Sequence, residues 1–324
     1  MKNRRLLVAA LASLAAVMSL PDAHAQSWPS KPVRIVVPFA AGGPADSLAR
    51  FLATKMAADV GQPMVIDNKA GAGGTVGSAE VIRSTDGHSL LFSSTGALVI
   101  VPALTPNLSY NPERDLIAIG QAVVTPSVIV VSAKSPFNTL ADLVTFAKAN
   151  PGKLNFGSAG SGTSTQLGAE LLKKEAGIFM THIPYRGAAP ATTDLIGGVV
   201  DLMVADVPAV VSFIKGGQLR ALAVATPGRS PALPDVPTTA EARLQGVVGG
   251  TWYGLMAPAR TPPEVIAKVN AALNKALQHP DTAAYFRQQG VQSVGGSADE
   301  FGRFIRAEAA KWGALAKAVG VKLD

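Results

Sequence analysis

A chain of 324 residues with 48% hydrophobic side chains has room for two domains of ordinary size, each with a sizeable core. Its net charge of +7 is scattered, with no Lys/Arg-rich block interleaved with aromatics, which argues against nucleic-acid binding. The absence of cysteine excludes disulfide staples, thiol catalysis and Cys-ligated metals, and leaves stability to packing.

Residues 1–25 read as a cleavable export signal. Lys2, Arg4 and Arg5 precede the apolar run from Leu6 to Leu20, and Ala23-His24-Ala25 fits a signal-peptidase site, so the mature chain is expected to begin at Gln26. The apolar run is shorter than the ~20 residues that span a bilayer, and later apolar runs are broken by Gly, Pro or charge.

Past the signal, Val33 to Val37 is an apolar, β-branched strand pattern followed by a glycine loop, and Pro44 opens a helix with Leu48, Phe51, Leu52 and Met56 at helical spacing. Pro63 to Ile66 reads as a second strand, the glycine segment 71–77 leads into a helix reaching Arg83, and Ser89 to Phe92 reads as a third strand. The middle of the chain repeats this grammar. Strands are expected at 116–124, 128–131 and 154–156, with a helix between the last two near 139–149. A further glycine loop then precedes Thr163, which with Gln166 fits a reciprocal helix cap. Strands at 181–184, 199–204 and 219–225 alternate with helices beginning near Pro190 and ending at Gly216-Gly217. The C-terminal part offers one strand, 252–257, and helices near 262–277, 281–289 and 298–319. Such alternation predicts parallel sheets covered by helices.

Four loops stand where open α/β sheets bind ligands, at the carboxyl ends of parallel strands. They run from Phe39 to Asp46, from Gly71 to Thr75, from Gly157 to Ser164 and from Tyr185 to Gly187. Together they are rich in backbone donors and hydroxyls and nearly devoid of cations, which suits an anion held by N–H groups, hydroxyls and water. No phosphate-loop signature occurs, and Gly71-x-Gly73-x-x-Val76 misses the dinucleotide fingerprint at its last position. Enzyme chemistry lacks parts: His88, His182 and His279 form no close ligand pair, no Gly-x-Ser-x-Gly exists, and Asp194, Asp201 and Asp206 share no spacing rule. His182 reads as a structural hydrogen-bonding residue. No catalytic residue, metal or cofactor is expected.

The residues Trp28-Pro29-Ser30-Lys31-Pro32, Val36-Val37-Pro38-Phe39, Asp67-Asn68-Lys69-Ala70-Gly71-Ala72-Gly73-Gly74, Gly157-Ser158-Ala159-Gly160 and His182-Ile183-Pro184-Tyr185-Arg186-Gly187 carry a further signal. So do Asp194-Leu195-Ile196-Gly197-Gly198, Leu219 to Val224 and Pro234 to Thr238. Together they make the chain resemble, nearly end to end, the tripartite tricarboxylate transporter substrate-binding receptors, the Bug family of periplasmic solute-binding proteins. The resemblance implies a type II periplasmic binding fold: two α/β lobes with a ligand cleft between them. It implies capture of a small organic carboxylate for a membrane permease, by a monomer without turnover. Lobe 1 is expected at 26–128 plus 222–324 and lobe 2 at 129–221. By position, Phe39, Ala41, Gly42, Gly43, Asp46, Gly73 and Gly74 become ligand-binding candidates on one side. Ser158, Ser161, Gly162, Thr163, Ser164, Tyr185, Arg186 and Gly187 face them, and Ser94, Thr95 and Asp206 join the set. Two departures bear on the ligand: Gln166 stands where many relatives have His, and Ala205-Asp206 where they often have Asp-Asn. Arg186 either meets a ligand carboxylate or lies outward. A receptor read by a membrane sensor and an exported hydrolase are the alternatives.

Overall fold

Five residues rich in β-branched side chains, Val33–Val37, start the fold as β1, with four of them buried. The computed structural model describes residues 28–318, so the expected export signal lies outside the described residues. After β1 come α1 (Pro44–Val60), β2 (Met64–Asn68), α2 (Thr75–Arg83) and β3 (Ser89–Ser94). A buried π-helical turn, Gly96–Ile100, and the short helix Val101–Leu104 follow. The chain continues through β4 (Leu116–Ser132), α3 (Leu140–Ala149), β5 (Asn155–Ser158), α4 (Ser164–Ala176), β6 (Thr181–Pro184) and α5 (Ala188–Gly197). Next are β7 (Leu202–Asp206), α6 (Val207–Lys215) and β8 (Leu219–Val224). The last elements are β9 (Gly250–Pro258), α7 (Pro263–Gln278), α8 (Pro280–Gln289), β10 (Gln292–Ser293) and α9 (Ala298–Ala318). Among the described residues no helix is long and apolar enough to cross a membrane.

The strands form two sheets that share β4. In the first, β2, β1, β3, β9 and the N-terminal part of β4 lie side by side, with β10 also paired to β4. In the second, β8 and β7 flank the C-terminal part of β4, and β5 and β6 extend it beyond β7. β1 to β3 pair in parallel, as do β5 to β7, as the alternating pattern predicts. β4 and β9, however, run antiparallel to their neighbours, so the sheets are mixed.

β4 also departs from expectation in being one strand of 17 residues where the sequence suggests two. Pro126 creates the apparent break because it has no N–H to give to a ladder. It sits where β4 leaves β9, its partner up to the Pro126–Gly250 pair, and takes up β7 from Ser127. β9 begins at Gly250, opposite Pro126. β8 pairs with β4 in the second sheet, and Val247 is buried in a core with Phe156 and Leu172. At the crossing three backbones interlock: Ser127 N–H donates to Gly249 O (3.3 Å), Gly249 N–H to Ala225 O (3.0 Å) and Ala225 N–H to Ser127 O (2.8 Å).

Two apolar clusters serve the second sheet, one around Phe156, Leu172 and Leu202, the other around Val130, Leu195 and Val210. The first sheet packs Val36, Leu91 and Trp252 against Phe301, Ile305 and Trp312 of α9. Within this cluster the carboxylate of Glu308 accepts the indole N–H of Trp252 (3.0 Å) and that of Trp312, while Lys311 Nζ stands 3.2 Å from its other oxygen. Replacing it by an apolar residue strands two buried donors at about 1–3 kcal/mol each. Glu308→Leu is therefore expected to destabilise the protein by about 2 kcal/mol or more in urea unfolding; an unchanged midpoint would show that neither indole depends on the carboxylate.

Candidate functional site

In an α/β layer each helix that follows a parallel strand begins at the strand's carboxyl end. β1, β5, β6 and β7 each lead in this way into α1, α4, α5 and α6, and those four helix starts converge. Gly43, Pro44 and Ala45 of α1, Thr163, Ser164 and Thr165 of α4, Ala188 of α5 and Asp206, the N-cap of α6, line one small cavity of about 30 Å³. Phe39, Ser94, Ala159, Thr251 and Tyr253 complete its wall. No Lys, Arg or His is among these lining residues. The caps of α1 and α5 are Gly43 and Gly187, which offer no side-chain acceptor to the first-turn N–H groups. Helix starts of this kind present a positive field and unsatisfied donors, the usual provision for an anion.

Loops from the two sheets touch around this cavity. Ala40 N–H, after β1, donates to Arg186 O, after β6, at 3.0 Å. Gly73 has φ +61, and a Cβ there would collide with the carbonyl oxygen of Ser161. At Gly187, with φ +149, a Cβ would lie 2.9 Å from Ala40 N. Both positions demand glycine twice over, by backbone conformation and by close approach.

The loop after β5 is braced from behind. Gln166 Oε1 accepts Gly162 N–H at 2.7 Å, which turns its amide nitrogen toward His182 Nδ1 at 3.1 Å. That nitrogen must then be an acceptor, so Nε2 carries the proton and donates to Ser158 Oγ at 2.6 Å. Ser158 Oγ lies 3.2 Å from Gly160 O and accepts Gly160 N–H at 3.1 Å. His182 thus holds a loop in shape. Only half of the expected reciprocal cap exists: Thr163 Oγ1 accepts Gln166 N–H at 3.5 Å, but the Gln166 side chain serves Gly162 instead of reaching back to Thr163.

Asp206 is the charged group of the cavity. Its Oδ1 accepts from Thr251 Oγ1 at 2.6 Å and its Oδ2 from Tyr253 OH at 2.7 Å. Burial pushes its carboxyl up to about 6, against the opposing pull of hydrogen bonds from Thr251, Tyr253 and Thr125. Burial and the neighbouring Asp206 also push the Tyr253 phenol well above its usual range, so it remains a donor. Asp46 differs. Burial alone would raise it, but hydrogen bonds from the Arg50 side chain and Gly42 N–H bring it below the ordinary carboxylate range.

Of the candidate residues, Phe39, Gly43, Ser94, Thr163, Ser164 and Asp206 line the cavity. Gly73, Gly74, Ser158, Gly162 and Gly187 are buried in the loops that enclose it, and Ser161 supplies the carbonyl facing Gly73. Thr95 is buried behind Ser94 and accepts Trp252 N–H at 3.2 Å. Asp46 is spent on Gly42 and Arg50. Ala41 and Gly42 are exposed, Tyr185 donates to Asp194 at 2.7 Å, and Arg186 is exposed, joining the loops through its carbonyl. Sequence reasoning missed Thr251 and Tyr253. Their spacing of two puts both on one face of β9, but Thr251 lies just outside the expected strand 252–257 and nothing local says which face meets the loops. A larger groove of about 920 Å³ lies beside the same strands, with Trp252 and Trp312 in its wall. It has none of the converging helix starts.

Two sheets joined by two chain passages, with glycine loops and helix starts meeting between them, define a receptor of the two-lobed solute-binding class. The sequence matches the family model described as "Tripartite tricarboxylate transporter family receptor" over residues 48–321. It is 40% identical over 307 residues to a UPF0065 protein of the tcbD-tcbE intergenic region of Pseudomonas sp. strain P51, covering 93% of this chain and 91% of that one. It is 36% identical over 301 residues to BugT of Bordetella pertussis, covering 92% of each. Among solved structures, the periplasmic binding protein BugD superposes with a TM-score of 0.88 at 35% identity, over 92% of this chain and 100% of that one. A Rhodopseudomonas palustris protein solved with adipate gives 0.88 at 32% identity, over 92% and 100%. MatC of R. palustris, solved with malate, gives 0.85 at 32% identity, over 89% and 99%. The chain belongs to the tripartite tricarboxylate transporter receptor family and has the two-lobed periplasmic binding fold that its sequence resemblance implies.

Two outcomes follow from this geometry. Gly73→Ala is expected to keep the loops apart, weakening ligand binding at least about tenfold and enlarging the radius of gyration in X-ray scattering; a compact variant with unaltered affinity would remove the contact with Ser161 from the closing surface. The second concerns pH. Because the folded pKa of Asp206 exceeds its unfolded value, its contribution is fully present below about pH 4 and is lost as pH rises through about 6. Asp206→Asn should accordingly gain on the wild type by ~3 kcal/mol between pH 4 and pH 8, and parallel stability curves for the two proteins would contradict the assignment.

Proposed function

We propose that the protein is exported, loses residues 1–25 after Ala25, and works in the periplasm as a monomeric receptor that captures a small organic carboxylate and delivers it to a membrane permease. The observation that carries this reading is the cavity itself: first-turn residues of three helices and a set of hydroxyls converge there with no cationic side chain in the wall. Backbone donors and helix starts can hold a carboxylate without an ion pair. Adipate and malate in two relatives that share the fold support the ligand class. Both ring nitrogens of His182 serve the Gly157–Gly162 loop, which favours capture without turnover.

The first lobe comprises residues 31–126 and 250–318 and the second residues 127–249, on the strength of the strand pairing. The touching loops and a cavity of about 30 Å³ represent the closed arrangement. Ligand pockets ordinarily hold ~300–1,000 Å³, so a dicarboxylate enters when the lobes swing apart about the two passages at Pro126 and Gly249-Gly250. Gly42, Gly43 and Gly74 on one side, with Ser161, Gly162, Thr163, Ser164 and Gly187 on the other, then close on it. Arg186, exposed in the closed arrangement, is assigned to the rim.

Isothermal titration of the mature protein with a library of mono- and dicarboxylates, including adipate and malate, tests this directly. At least one carboxylate is expected to bind with one site per chain and no product is expected to form. Binding of glucose or arginine with no response to any carboxylate would sink the proposal.

A further inference from the structure

Asp206 poses a problem for a carboxylate receptor, since the cavity read above as the anion site already contains a carboxylate. It is buried, at 3% exposure, and lines the cavity together with Thr251 and Tyr253, the two residues whose hydroxyls hold it. The groups facing it come from three elements. β4 presents Thr125, β9 presents Thr251 and Tyr253, and Ser164 at the start of α4 reaches Thr251 Oγ1 through its own hydroxyl. Of these only Tyr253 titrates, and it stays protonated. Asp46 on α1, the other buried carboxylate of these loops, is neutralised by Arg50 at 2.9 Å and is absent from the cavity wall.

Asp206 lines this cavity, so an anion seated against its wall meets that carboxylate, and no cation in the wall offsets the second charge. Two carboxylates at such separation do not both stay ionised; one takes a proton and donates it to the other. We infer that Asp206 binds the ligand carboxylate as a neutral acid, through a shared proton, so that each capture event takes up one proton from solution. The inference rests on the carboxylate reading above. The raised pKa of the buried side chain agrees with it, because the lone carboxyl is already partway to the protonated form. In balance, the ligand anion and a solvent proton enter, and both leave when the lobes open. Asp206 therefore selects carboxylates that can accept a hydrogen bond from an acid, and it makes capture stronger toward acid pH.

The test is titration of the mature wild-type protein with adipate, malate and benzoate between pH 5.5 and pH 8.5. At each pH, two buffers of different ionisation enthalpy report the protons taken up. For the wild type, uptake is expected to approach one proton per ligand at pH 8, with affinity falling about tenfold per pH unit above pH 7. In Asp206→Asn, which keeps the shape and lacks the charge, uptake should vanish and affinity should be flat over the same range. Tyr253→Phe removes one hydrogen bond that favours the ionised carboxyl, so the wild-type fall in affinity should begin at higher pH, which provides a second variant. Binding by the wild type without proton uptake, or uptake that persists in Asp206→Asn, overturns the inference and leaves the carboxylate receptor standing. Failure of all three probes in all three proteins at every pH, with glucose or arginine bound instead, removes the receptor reading and this inference together.

Discussion

The passage of the chain between sheets is the constraint on which the other features depend. β4 belongs to both sheets, and its exchange of partners occurs within the step from Pro126 to Ser127. The return strand must lie against it there, and it does so because Gly250 has no side chain: a Cβ would come within 2.6 Å of Thr125 O. Proline on one strand and glycine on the other give a place where the ladder is thin and the backbones are close. The interlocked bonds among Ser127, Ala225 and Gly249 keep that place from slipping. Few ladder bonds cross it, so the proposed lobe movement would bend the chain there without breaking a sheet.

The same crossing fixes the chemistry. Thr125 stands one residue before Pro126 on β4, and Thr251 one residue after Gly250 on β9. Thr251 Oγ1, which donates to Asp206, and Thr125 Oγ1, which donates to Thr251 O, are thus carried by the passages themselves, while Asp206 ends β7 in the second sheet. In the proposed receptor a proton change at Asp206 would occur beside the two passages, so that binding and lobe movement would be coupled there.

Much of this was legible in the chain because the βα units are local. Val33 to Val37 followed by glycine and Pro44 announces strand, loop and helix, and the same holds for the segments ending at Ser158 and Pro184. Each unit is short, so its glycine loop can be placed at a strand end by pattern alone, and parallel topology then aims the helix start. The hidden parts are long-range. Thr251 and Tyr253 look like any alternating pair until β9 is seen beside β4. Pro126 reads as a strand break until its role at a change of partner is known. The exit near Gly249 is invisible because the segment from Ala225 to Val247 has little regular structure and joins the second sheet through Val247 and a bridge between Val224 and Thr238. Gln166 and His182 lie 16 residues apart, and the chain shows no period that would pair them.

A receptor has to let go of what it catches, and the makeup of the cavity bears on that requirement. A buried ion pair would hold a carboxylate in a deep well, with a large penalty for leaving either charge alone when the lobes open. Helix starts and hydroxyls impose a smaller penalty. When the lobes part, the first-turn N–H groups near Gly43 and Gly187 and the hydroxyl of Ser164 can return to water, and none is left as a bare charge. The one charge that stays behind, Asp206, is held by Thr251 and Tyr253 within its own neighbourhood. The absence of a lysine or arginine from the wall is consistent with reversible capture, in which lobe closure provides much of the grip.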